Sequence, residues 1–177
     1  FLQRLSGIAT LTRSYVDELD SDTVRLTDTR KTTPGLRSLE KEAVRAGGAN
    51  NHRMSLYDGI LIKDNHIAVA GSVKNAVKAV KARTSHLMKI EVEVTTMDEV
   101  REAVKAGAEV IMLDNMDYEM MTEAVAYIDG RAVVEASGNV SLETLNNIAA
   151  TGVDVISCGA LTHQARSVDI SMRIRNS

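Results

Sequence analysis

Residues 89–115, KIEVEVTTMDEVREAVKAGAEVIMLDN, decide the fold. Residues 89–94 form a short β-rich run, and residues 110–113 form a second. Between them, Thr96-x-x-Glu99 has the spacing of a capping box, and Val100, Ala103 and Val104 recur at helical spacing. Gly107 then supplies a stop. Strand, helix and strand in such short succession predict parallel strands joined by a right-handed crossover.

The same alternation extends in both directions. Further β-rich runs fall at 23–26, 59–62, 132–135 and 154–157. Ser72 precedes a helical face of Val73, Ala76, Val77 and Val80, and Met120, Met121, Ala124 and Val125 line another. Ser141 opens a helix through Leu142, Leu145, Ile148 and Ala149, closed by Gly152. At the start, Leu2, Leu5, Ile8, Leu11, Tyr15 and Leu19 predict an amphipathic leading helix over 1–19, with a break expected near Gly7. The remainder, 20–177, is expected to form the barrel. Strands apolar on both faces fit a sheet covered by helices. No glycine-rich dinucleotide fingerprint follows the first strand, so a β/α barrel is favoured over an open doubly wound sheet. Six strands are fewer than the eight of a complete barrel. The expected fold is therefore α/β, a parallel barrel that is incomplete or partly open.

Composition narrows the class. The 177 residues suit one domain, and 44% hydrophobic with 25% charged residues is the balance of a globular protein with a core. One proline, one phenylalanine and four tyrosines leave that core to aliphatic side chains. A formal net charge of −3 argues against general nucleic-acid binding. The single cysteine, Cys158, excludes an internal disulfide framework and fits a reducing cytoplasm. No apolar run approaches the ~20 residues of a membrane helix. The chain begins at Phe1, inside an amphipathic pattern, which reads as a piece of something longer.

Polar residues collect after the strands, where a β/α barrel places its chemistry. Arg30, Lys31, His52, Arg53 and Lys63 form a cationic half suited to a small polyanion. Glu93 and Asp114 form an acidic half suited to a divalent cation or a developing positive charge. Ser137-Gly138-Asn139 precedes a helix whose free N–H groups suit a phosphate, and Gly159 follows the last strand. Together they suggest a phosphorylated sugar, an anionic co-substrate and Mg2+. Bland readings compete at each position. An Arg-Lys pair in a loop is usually solvated, and His52 or His66 alone is more often structural. Asp114 is as often a helix cap as a metal ligand, Gly138 and Gly159 also read as glycines that permit tight turns, and Cys158 and the methionines read as packing.

The segment Asp28-Thr29-Arg30-Lys31-Thr32-Thr33-Pro34-Gly35-Leu36-Arg37 resembles a hallmark of quinolinate phosphoribosyltransferases. The likeness continues through Leu39-Glu40-Lys41, Asn51-His52-Arg53 and Ile62-Lys63-Asp64-Asn65-His66. It extends to Glu91-Val92-Glu93, Leu113-Asp114-Asn115, Glu135-Ala136-Ser137-Gly138 and Asp154-Val155-Ile156-Ser157, with Ser6-Gly7-Ile8-Ala9-Thr10 like the helix leading into the barrel.

The resemblance implies transfer of phosphoribosyl from phosphoribosyl pyrophosphate to quinolinate with decarboxylation, in NAD biosynthesis. It assigns quinolinate to Arg30, Lys31, His52, Arg53 and Lys63. It assigns phosphoribosyl pyrophosphate to Lys31, Glu93, Asp114, Ser137, Gly138, Asn139 and Gly159, with Mg2+ at Glu93 and Asp114 directly or through water. Lys63, Glu93 and Asp114 are the implied catalytic groups. Asn139 departs from the second glycine common in the family, and is expected to take the left-handed conformation instead. The family also implies a homodimer or higher homo-oligomer, whose partner supplies an arginine from an N-terminal domain absent from this chain. The alternatives are a related enzyme with another acceptor such as nicotinate, a relative associated with molybdenum transport, or a non-catalytic phosphate-binding scaffold.

Overall fold

Alternation along the strands separates core from chemistry. In β3 (Ile90–Val94), Ile90, Val92 and Val94 turn outward and are buried, while Glu91 and Glu93 lie on the opposite face. Parallel pairing sets Glu93 beside Met112 of β4 (Val110–Asp114), and Met112 beside Glu135 of β5 (Val133–Ser137). Asp114 stands beside Ser137, and Ser137 beside Ser157 of β6 (Val155–Ser157). The outer face of these strands is aliphatic, with Ile111, Leu113, Val134, Ala136 and Ile156 all buried. The expectation of strands apolar on both faces therefore holds for the outer face only. The inner face at the carboxyl ends is polar because it lines a cavity.

The computed structural model describes residues 1–175. Among them, β1 (Arg25–Thr27) and β2 (Ile60–Ile62) complete a six-stranded parallel sheet in the order β1-β6-β5-β4-β3-β2. The sheet curls without closing, so β1 and β2 remain its edges. Part of the gap is occupied by Asn50, which bridges Thr27 and exchanges backbone hydrogen bonds with Leu26 and Asp28 (2.9 and 3.2 Å).

Helices cover the outer face. Those read from the sequence are α1 (Leu2–Glu18), α4 (Val73–Lys81), α5 (Met97–Ala106), α6 (Tyr118–Ile128) and α7 (Leu142–Ala149). To them are added α2 (Arg37–Ala46), α3 (Asp64–Ala70) and the short α8 (Ala160–His163). Ser72 and Thr96 cap α4 and α5 by accepting from the amides of Asn75 and Glu99. The Glu99 carboxylate, however, receives the Thr95 amide at 2.8 Å rather than that of Thr96. Gly107 ends α5 in the left-handed conformation. The break expected at Gly7 is absent from the continuous α1. A Cβ there would sit 1.9 Å from the Arg166 carbonyl oxygen, so Gly7 is a point of close packing.

The first part of α2 carries two buried charges. Glu40 accepts from the Thr33 amide and hydroxyl (3.1 and 2.7 Å) and from Arg4 of α1 (3.1 Å), tying the loop after β1 to the leading helix. Arg4 also donates to the carbonyls of Thr162 and Ala165, both at 2.6 Å, which anchors α8. Lys41 is 1% exposed and forms an ion pair with the equally buried Asp28. Asp28 further accepts from the His52 amide (2.8 Å) and the Asn51 side chain (2.6 Å), while Lys41 donates to the His52 carbonyl (3.0 Å). Removing one partner of such a pair leaves a buried charge uncompensated, at a cost of about 3–5 kcal/mol. Lys41→Met is therefore expected to lower unfolding stability by about that amount in a denaturant melt. An unchanged midpoint would show that the pair does not hold the 50–53 segment in place.

Candidate active site

The inward-facing strand ends open into a cavity of about 680 Å³. Every site residue named from the sequence lines it: Arg30, Lys31, His52, Arg53, Lys63, Glu93, Asp114, Ser137, Gly138, Asn139 and Gly159. These positions run from residue 30 to residue 159. The sheet's topology brings them together at one rim: His52 and Arg53 lie in the segment that Asn50 bridges to β1, and the others end or follow a strand.

The cationic side is built on braced loops. Arg37 donates to the Arg30 carbonyl (3.2 Å) and the Thr32 hydroxyl (2.9 Å), fixing the turn after β1. The Arg30 Nε is buried without a hydrogen-bond partner among the described residues, so a ligand acceptor would satisfy it. Arg53 donates to the Gly59 carbonyl at 2.9 Å. Burial and the nearby Arg30 lower its proton affinity, against the pull of Glu91 and Asp58. Two guanidinium groups held this close suit a small dianion.

The expected division into cationic and acidic halves is not a clean one. The Lys63 ammonium reaches across and pairs with Glu93. This contact joins the halves at their boundary, because Lys63 directly follows β2 and Glu93 lies on the inner face of the adjacent β3. His66 is structural: its Nδ1 accepts from the Lys63 amide at 2.9 Å and caps α3. Asp114 caps no helix, since Asp117 takes that role for α6. Cys158 is buried and its thiol is pushed up by burial, as expected of a packing residue.

Beneath the cavity lies a cluster that sequence reading missed. His52 Nε2 stands 3.3 Å from Glu91 and 3.4 Å from Glu135, both buried carboxylates. The three groups lie close enough to surround a cation. Burial opposes a charged imidazole, but Glu135 and Glu91 outweigh it and push His52 up to about 10. The Arg53 amide nevertheless donates to Nδ1 at 2.8 Å, which requires a lone pair there and leaves the ring proton on Nε2. That proton occupies the atom a metal would need. Burial raises the proton affinity of Glu91, as does the neighbouring Glu135, against the pull of His52. The signal for both residues was the period-two alternation that puts them on the inner face.

The phosphate-type loop has the expected backbone. Gly138 (φ 95°) and Asn139 (φ 51°) are both left-handed, and the loop enters α7 with the Thr144 hydroxyl donating to the Asn139 carbonyl (3.1 Å). Opposite it, Gly159 lies against His163 and Lys31, so that a Cβ there would come within 3.1 Å and 3.2 Å of them. His163 and Gln164 also line the cavity and were missed, because α8 is a single turn with no apolar period to read. Gly159→Ala is expected to weaken binding of inorganic phosphate about tenfold, ~1.4 kcal/mol, with little change in melting temperature. Equal affinity in a calorimetric titration would remove Gly159 from the anion site.

Comparison with known proteins agrees with this geometry. The family described as quinolinate phosphoribosyl transferase, C-terminal domain, matches residues 8–173. A probable nicotinate-nucleotide pyrophosphorylase (carboxylating) of Bacillus subtilis is 51% identical over 173 residues, covering 98% of this chain and 60% of that protein. The chloroplastic nicotinate-nucleotide pyrophosphorylase (carboxylating) of Arabidopsis thaliana is 47% identical over 192 residues, covering 98% of this chain and 55% of that protein. Among solved structures, NadC from Streptococcus pyogenes superimposes with a TM-score of 0.93 at 47% identity, covering 98% of this chain and 61% of that one. The chain thus spans about 60% of the length of the first of these relatives. It belongs to the quinolinate phosphoribosyltransferase family and corresponds to the C-terminal domain of that family.

Proposed function

We propose that this chain carries the catalytic cavity of a quinolinate phosphoribosyltransferase, which makes nicotinic acid mononucleotide, pyrophosphate and CO2 from quinolinate and phosphoribosyl pyrophosphate. The observation that carries the reading is one cavity lined by Arg30, Arg53 and Lys63 with His52, by the carboxylates Glu93 and Asp114, and by the Ser137–Asn139 loop. Each group matches one part of the two substrates.

Quinolinate has two adjacent carboxylates. Arg30 and Arg53 can take them through paired N–H donors, and Lys63 and His52 complete the pocket. This orients the ring nitrogen toward the ribose. The nitrogen forms the new bond to C1 as the bond to pyrophosphate breaks, and C1 passes through oxocarbenium character. Glu93 and Asp114 stabilise that charge, while the Ser137–Asn139 loop and Gly159 hold phosphate and Lys31 serves both substrates. As CO2 departs, the electron pair of the broken bond stays on C2 as a carbanion that the adjacent positive ring nitrogen stabilises, and C2 then takes up a proton. Positioning and electrostatics supply most of the acceleration.

Glu93 and Asp114, at the carboxyl ends of adjacent strands, are hard oxygen donors of the kind that suit Mg2+. Glu93 and Asp114 would hold it, and its chemistry there is to screen the leaving pyrophosphate. We further propose a homodimer or higher homo-oligomer in which an N-terminal domain of the partner subunit completes the site; the relatives matched are longer than this chain, which leaves room for such a domain. Nicotinate as acceptor is the runner-up; its single carboxylate leaves part of the cationic pocket unused.

Formation of nicotinic acid mononucleotide from quinolinate, phosphoribosyl pyrophosphate and Mg2+, followed by mass spectrometry, tests the reading. Product from nicotinate alone would replace the acceptor. Arg53→Ala is expected to weaken quinolinate binding about 100-fold, ~2.8 kcal/mol, and phosphoribosyl pyrophosphate binding by less than about threefold. Equal losses would show that Arg53 does not select the acceptor. On the partner proposal, this chain alone should turn over slowly, and robust turnover by a monomer would refute it.

A further inference from the structure

Asn115, the residue directly after β4, has no role in the reading above, yet its side chain stands between two parts of the cavity. Its backbone is left-handed (φ 53°), and its amide N–H donates to the Ser137 carbonyl at 2.9 Å, extending the β4–β5 ladder by one residue. The side chain folds back over the rim. Its Nδ2 donates to Asp114 Oδ2 at 2.9 Å, and its Oδ1 accepts from Asn139 Nδ2 at 3.1 Å. Asn115 therefore makes one bond to the acidic side and one to the phosphate-type loop.

Gly138 shows how tightly this bridge is seated. A Cβ at that position would lie 2.2 Å from Asn115 Oδ1 and 2.6 Å from its Cγ. Gly138 (φ 95°) is thus required twice over, by its own backbone and by the carboxamide lying against it. The amide has both a donor and an acceptor, and uses one toward each neighbour. A leucine or alanine could do neither. An aspartate could accept from Asn139 but would set a second carboxylate against Asp114.

We propose that Asn115 is a positioning residue that fixes the spacing between Asp114 and the Ser137–Asn139 loop, and thereby sets the fit for phosphoribosyl pyrophosphate rather than for the acceptor. The inference rests on the proposed function, in which those two groups hold the pyrophosphate end with its Mg2+ and a phosphate of one donor molecule. A substrate held at both ends is sensitive to the distance between its two grips. Quinolinate, held by Arg30, Arg53 and Lys63 on the other side, is not.

The test is calorimetric titration of the chain with phosphoribosyl pyrophosphate and Mg2+, and separately with quinolinate. Asn115→Gly is the main variant, since glycine keeps the left-handed backbone and removes both side-chain bonds. Its affinity for phosphoribosyl pyrophosphate should fall by about tenfold or more, with quinolinate affinity within about twofold. Asn139→Gly closes a double-mutant cycle: the double variant should lose less than the product of the two single losses. Unchanged donor affinity, equal losses for both substrates, or multiplicative losses around the cycle would overturn the role of Asn115. A wild-type chain that binds quinolinate but no phosphoribosyl pyrophosphate would overturn it through the functional reading itself.

Discussion

The buried ion pair between Lys41 and Asp28 holds the cavity in shape. It lies at the one place where the curled sheet does not close, between β1 and the segment that carries His52 and Arg53. Burying two charges is expensive, and their mutual attraction alone seldom compensates. Here the cost is offset by bonds to the Asn51 side chain and to the amide and carbonyl of His52. An apolar pair of similar size could fill the space. It could not orient the polar backbone segment that turns His52 and Arg53 toward the cavity.

A second constraint follows from the open sheet. In a complete barrel, layers of branched apolar side chains fill the interior. In this chain the outer face supplies the core, with Ile90, Val92, Val94, Ile111, Leu113 and Ile156 packed under the helices. Each such side chain contributes about 1.5–3 kcal/mol on burial. That leaves the inner face free to carry Glu91, Glu93, Asp114, Glu135 and Ser137. The buried carboxylates near His52 are costly, and the His52 ring standing between them offsets part of that cost.

Much of this was legible before any coordinates. Strands β3, β4 and β5 are flanked by caps and glycines, and the polar residues at their ends announce a common rim. Four things were not. The strand pattern reads as core until pairing shows that one face lines a cavity. The α2 segment, Arg37–Ala46, combines a strongly charged surface with buried Glu40 and Lys41, so no apolar stripe marks it as a buried helix. Gly7 reads as a breaker, because nothing local reveals the Arg166 carbonyl lying against it. The His52–Glu91–Glu135 cluster joins a loop and two strands, and only the sheet's register brings it together.

The proposed function depends on a pocket shaped for two adjacent carboxylates. Calorimetric titration of this chain at low salt with quinolinate and with nicotinate tests it most directly, because the two ligands differ by one carboxylate. Quinolinate should bind at least about tenfold more tightly, ~1.4 kcal/mol, with the preference shrinking as salt screens the cationic rim. Equal binding, or a preference for nicotinate, would contradict it.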